Sequence, residues 1–178
     1  MIKSAGNRIS PQEIEEAALV TGLVAEAVAI GVPDERLGHA VHLVVRALPG
    51  EHCQVVSGDR FEYAMGHLTT WGKVLMIVHT PNIVLECKGP IPPGSASRGY
   101  FNMHGESPIG GHIKADRCTD IAFVSRPFMG RPSCSIQFFD MDGAAMFKIF
   151  VARDDNRNMI TLQLEKFEQL KEELCSKS

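Results

Sequence analysis

Apolar and polar positions recur with two different periods along this 178-residue chain, and the change of period divides it. Ser10-Pro11-Gln12-Glu13 has the form of a capping box, with a hydroxyl for a first-turn amide and a glutamate that reaches back. A short helix is expected over residues 14–19. Residues 24–32 are an apolar, β-prone run stopped by Pro33-Asp34, and residues 42–47 form a second run stopped by Pro49-Gly50. From Asp59 the spacing becomes helical. Phe61, Met65 and Leu68 share one face and predict an amphipathic helix over 59–70. Seven β-type runs follow, at 73–79, 83–88, 99–104, 111–115, 120–125, 134–140 and 145–152. Between the last two, Asp140-Met141-Asp142-Gly143 reads as a hairpin turn of G1 or primed type. A helix over 156–175 closes the chain, with Ile160, Leu164, Phe167, Leu170 and Leu174 as its apolar stripe. Short strands in succession imply a large, mostly antiparallel meander rather than strand–helix–strand units. The expected fold is α+β, with flanking helices on that sheet and a small αββ segment ahead of it. The expected domains are 1–48 and 50–178.

Composition narrows the function classes. The apolar fraction of 44% and charged fraction of 22% are ordinary for a globular protein. A formal charge of −3 argues against an electrostatic grip on nucleic acid or on an anionic membrane. No apolar run is long enough for a membrane-spanning helix, and the first residues lack a basic-then-apolar leader, so the expected location is the cytoplasm. Cys53, Cys87, Cys118, Cys134 and Cys175 are scattered, without a Cys-x-x-Cys pair, and read as small apolar side chains in a reducing compartment. Nucleophile elbow, P-loop, dinucleotide and zinc-protease motifs are all missing.

Two segments resemble known families. Residues 2–16 and the run Val24-Ala25-Glu26-Ala27-Val28-Ala29-Ile30-Gly31-Val32-Pro33-Asp34-Glu35-Arg36-Leu37-Gly38 resemble the start of the C-terminal subdomain of acyl-CoA synthetases. The resemblance is truncated, for the nucleotide-binding domain and the lysine motif of adenylation are missing. Nothing here would stabilise the charge of an adenylation transition state. The expectation is a structural appendage whose removal, up to about Val44, leaves the rest working.

The remainder resembles the bacterial haem-utilisation carrier family of HutX/ChuX type, relatives of the haem proteins of HemS/ChuS type. Trp71-Gly72-Lys73-Val74, Ile77-Val78-His79-Thr80, Arg98-Gly99-Tyr100-Phe101-Asn102 and Gly110-Gly111-His112-Ile113-Lys114-Ala115 carry it. So do Arg126-Pro127-Phe128-Met129-Gly130, Ser135-Ile136-Gln137-Phe138-Phe139 and residues 146–154. The resemblance implies a HemS/ChuX-like sheet, haem as ligand, a homodimer, and a haem-degrading enzyme as acceptor. A haem-degrading enzyme using an external reductant is the alternative reading, and a haem-independent interaction module a further one.

Haem requires a neutral imidazole for its iron, an apolar wall for the macrocycle and cations for its propionates. His79 ends an apolar run before Thr80-Pro81-Asn82, and His112 follows two glycines that allow close backbone approach. Both coincide with the histidines implicated in haem ligation in the resembled family. Ligation by both from one chain, by one with the other nearby, or across a dimer are all open. His104 ranks third, and solvated or capping roles are expected for His39, His42, His52 and His67. Arg98, Lys114 and Arg153 are the candidate propionate partners. Phe101, Met103, Phe128 and Met129 are candidates for the ring wall, with Phe128 and Met129 carried forward, although sheet-facing aromatic and methionine side chains are more often plain core.

Overall fold

The computed structural model describes residues 1–20, 24–47, 50, 52–80, 82–128 and 130–176. They fall into two units, Met1–Glu51 and His52–Ser178. In the first, strands β1 (Ile2–Ser4) and β2 (Asn7–Ile9) pair around Ala5 and Gly6. Both turn residues have positive φ, 47° and 81°, as a two-residue primed turn requires. This hairpin is too short to leave a period in the sequence. Helix α1 (Pro11–Val20) starts at the proline of the capping box. Strands β3 (Val24–Asp34) and β4 (Gly38–Ala47) form a long antiparallel hairpin. Asp34 Oδ1 accepts hydrogen bonds from the backbone N–H groups of Arg36 and Leu37, at 2.9 and 2.8 Å, which turns the chain after the strand. Glu15 accepts from the Ala29 N–H at 2.9 Å and ties the helix to the hairpin.

The second unit contains two antiparallel sheets. It opens with β5 (Cys53–Ser57) and α2 (Phe61–Leu68), then β6 (Lys73–His79) and β7 (Val84–Pro90). Three short strands follow, β8 (Gly94–Ser97), β9 (Tyr100–Met103) and β10 (Gly111–Ile113). Strands β11 (Cys118–Phe128), β12 (Arg131–Asp140) and β13 (Ala145–Phe150) lead to the closing helix α3 (Thr161–Cys175). The large sheet has the order β5-β11-β12-β13-β6-β7, and the small one β10-β9-β8. The expected α+β fold is thus present, with its antiparallel strands divided so that β9 and β10 leave the main sheet. Strand β8, Gly-Ser-Ala-Ser, has no apolar alternation that a sequence reading could detect.

One face of the large sheet carries the core. Ile121, Phe123, Ile136, Phe138, Phe147 and Ile149 meet Phe61, Met65 and Leu68 of α2 and Phe167, Leu170 and Leu174 of α3. Phe138 stacks on Phe147 at 4.3 Å, and Phe61 meets Phe138 edge-on at 5.4 Å. Burying each such side chain contributes about 1.5–3 kcal/mol. Gln163, buried on α3, donates to the Trp71 and Lys73 carbonyls and accepts from the Ala152 N–H, each at 2.8 Å. It thereby joins α3 to the start of β6 and the end of β13. The turn after β12 is of G1 type: Gly143, at φ 75°, donates its N–H to the Asp140 carbonyl. No helix among the described residues is long and apolar enough to cross a membrane.

Candidate functional site

The small sheet is two-sided by strict alternation. Phe101 is buried in the core cluster, with Met103 and Ile113 packed against that cluster, whereas Tyr100, Asn102, His104 and His112 lie on the other face. Close fit enforces this division. A Cβ on Gly94 would lie 2.4 Å from the Phe101 ring, so β8 can cross that ring only as glycine. The register sets Ser95, Asn102 and His112 in one row across the three strands, with Ser97 and Tyr100 in the next.

These outward residues line an open cleft of about 630 Å³, together with Arg98 and His104. Its size lies within the roughly 300–1,000 Å³ range of small-molecule sites. Arg98 and Gly99 form the two-residue β8–β9 turn with φ of 56° and 78°. Such a primed turn suits asparagine or glycine and is costly for arginine. At the other end of the cleft sheet, Gly111 has φ 126°, a backbone open only to glycine, and a Cβ on Gly110 or Gly111 would meet nothing within 4 Å. The space beside both glycines is therefore open.

Each cleft histidine has a polar partner. His112 Nδ1 lies 2.7 Å from Asn102 Oδ1, and its ring meets Tyr100 edge-on at 6.4 Å. His104 Nε2 lies 3.0 Å from Ser95 Oγ. Lys114 Nζ sits over the Tyr100 ring, 5.5 Å from its centroid, which places a cation beside the cleft. The arrangement offers two imidazoles, an aromatic ring and two cations in or beside an open cleft. A planar ligand with carboxylates at its edge, such as haem, matches that donor set.

The other expected site residues lie elsewhere. His79 ends β6 in the large sheet, exposed, opposite Val84 and beside the Thr80–Ile83 turn, and it is not among the cleft residues. Arg153 donates to the Arg157 and Pro132 carbonyls, at 2.8 and 2.6 Å, and clamps the loop before α3. Met129 lies outside the described residues, and of Phe128 only the backbone, ending β11, is described. His67 Nδ1 accepts from the Trp71 indole N–H at 3.0 Å, and burial pushes its pKa down, opposed by Glu173. Burial raises the Cys118 thiol to about 11, which keeps it protonated and unsuited to thiolate ligation.

Tyr100, Asn102, Ser95 and Ser97 received no role from sequence reasoning. For Tyr100 and Asn102 the signal was present in Tyr100-Phe101-Asn102-Met103-His104, whose period of two puts them on the face of His104.

Residues 54–170 match the family model for haem utilisation ChuX/HutX. The chain is 36% identical over 131 residues to the intracellular heme transport protein HutX of Vibrio cholerae, a match covering 73% of this chain and 68% of the relative. A solved Agrobacterium tumefaciens protein shares 50% identity and a TM-score of 0.69, over 71% of this chain and 74% of that one. The heme-binding protein ChuX shares 42% identity and a TM-score of 0.65, over 68% and 77%.

Proposed function

This chain belongs to the ChuX/HutX haem-utilisation family, and from that membership we propose that it binds haem inside the cell and hands it, unaltered, to an acceptor. The observation that carries the reading is the cleft on the small sheet. There His112, Arg98 and Tyr100 converge in the segment matched by the family model. His112 supplies the iron ligand. Arg98 and Lys114 take the propionates, the arginine as a fork and the lysine as a point charge. A cleft open at one edge suits cargo that must leave again.

His79 is the second ligand of the proposal. It stands on another sheet, so it reaches the iron either within one chain or from a second copy in a homodimer. Arg153 is already engaged with two carbonyls and ranks behind Arg98 as a propionate partner.

A haemin titration followed at the Soret band tests the reading, on the intact protein and on His112→Ala and His79→Ala. Saturable binding that weakens at least tenfold, or changes spectrum, in His112→Ala is expected. An unsaturable shift shared by all three proteins would sink it. If both single variants lose binding, mixing them separates the two geometries. Only ligation across a dimer restores a site in the mixture. Transfer of bound haem to apomyoglobin without loss of porphyrin absorbance distinguishes a carrier from a degrading enzyme.

A further inference from the structure

The register places Asn102 directly across from His112, and the hydrogen bonds around its amide settle which way it faces. Asn102 Nδ2 lies 3.3 Å from the Ser95 carbonyl, 3.4 Å from that of Ser97 and 3.1 Å from that of Tyr100. Three oxygens around one amide atom require that atom to be the nitrogen. A flipped amide would set its oxygen against all three. The remaining atom, Oδ1, can only accept, and it lies 2.7 Å from His112 Nδ1. His112 Nδ1 must therefore carry the proton.

We propose that Asn102 is the positioning residue that holds His112 in its Nδ1–H tautomer, so that Nε2 presents its lone pair to the iron. The role rests on the haem-binding reading above, with His112 as a ligand. Histidine free in water favours the opposite tautomer, with the proton on Nε2, which would block ligation through that atom. Ligating histidines generally donate their second ring N–H to a partner that fixes the ring. Here the partner is a neutral amide rather than a carboxylate. It orients the ring without giving it imidazolate character, which would strengthen the iron bond and slow release. The β8–β9 hairpin itself supplies the lock, since two of the three oxygens that hold Asn102 belong to Ser97 and Tyr100, on either side of the turn.

The first measurement uses the haem-free wild-type chain. Nitrogen-15 NMR of the histidine rings, with the His112 signals identified by their loss in His112→Ala, reads the tautomer directly. A protonated Nδ1 and a bare Nε2 are expected, and the reverse would overturn the proposal. The second compares Asn102→Leu, similar in size but unable to accept. In that variant the His112 signals should move towards the Nε2–H form, and haemin affinity should fall about 10–100-fold, the usual effect of losing such a partner. Circular dichroism and the thermal midpoint establish that the variant is folded. If it does not fold, the wild-type tautomer and the matching Asn102→Ala variant decide. A folded variant with an unchanged tautomer, or with unchanged affinity, would reject the role. Failure of the haem reading has a different signature. His112→Ala would then bind haemin like the wild type, which removes the iron role of Asn102 whatever the NMR spectrum of the free protein shows.

Discussion

The two sheets of the second unit solve different problems with the same antiparallel geometry. In the large sheet, β12 is buried continuously from Cys134 to Phe139, and its helix-facing side chains fill the core. In the small sheet the strands are three or four residues long. One face adheres to that core through Phe101, and the other is given over to polar side chains. The difference teaches where each kind of cost should fall. Substitutions in the large sheet should change stability, and substitutions on the outer face of the small sheet should change binding.

The sharpest way to break that division is Phe138→Ala. Phe138 has no solvent exposure and touches two aromatic rings. A loss of about 3–5 kcal/mol is expected in denaturant unfolding, with haemin affinity of the remaining folded protein unchanged. A loss below about 1 kcal/mol would show the core to be far looser than its packing indicates. Next in size is Gln163→Ala, which strands one N–H and two carbonyls in the interior. It should cost about 2–3 kcal/mol, read by the same titration. His112→Ala should reverse the pattern, with stability within about 0.5 kcal/mol of wild type and haemin binding weakened at least tenfold or changed in spectrum. An equal effect on both would mean that the small sheet is structural after all.

The smallest effect is pH dependence, and it belongs to the scaffold. His67 has its pKa lowered from the ordinary 6.5, chiefly by burial, with Glu173 opposing and Lys166 reinforcing the shift. The unfolded chain therefore takes up its proton first as pH falls. Protons then bind the unfolded state in excess, so stability declines below about pH 6.5 and is intact above it. Thermal unfolding followed by the fluorescence of Trp71, the chain's single tryptophan, should show the decline, and His67→Leu should flatten it.

Much of this was legible from the residues, for identifiable reasons. Lys73–His79 could be read to the residue because an apolar β-prone run ends at Thr-Pro-Asn. The stripe of α3 was legible from its period, although the helix begins at Thr161 rather than Asn156, since residues 154–158 are held as a turn. Cys53–Ser57 and Gly94–Ser97 were not, because short polar or small-residue strands carry no periodic signature. The cleft was legible only in part. Resemblance pointed to His112 and carboxylate chemistry to Arg98, but the partner proposed to orient His112 depends on register across two strands. Which strands pair, and in what register, is a long-range fact, and the three residues of β10 carry too little apolar alternation to reveal it. The separation of His79 onto a different sheet has the same origin.

Arg98 at the β8–β9 turn marks a compromise between durability and use. A sequence selected for folding alone would place asparagine there, because its short side chain tolerates a φ of 56° that strains an arginine. Arg98→Asn should therefore make the protein about 1 kcal/mol harder to unfold while weakening its hold on a dicarboxylate cargo. By keeping arginine the chain gives up some robustness at its tightest bend. Improving this protein by stability screening alone would thus tend to erase the arginine on which the proposed haem site depends.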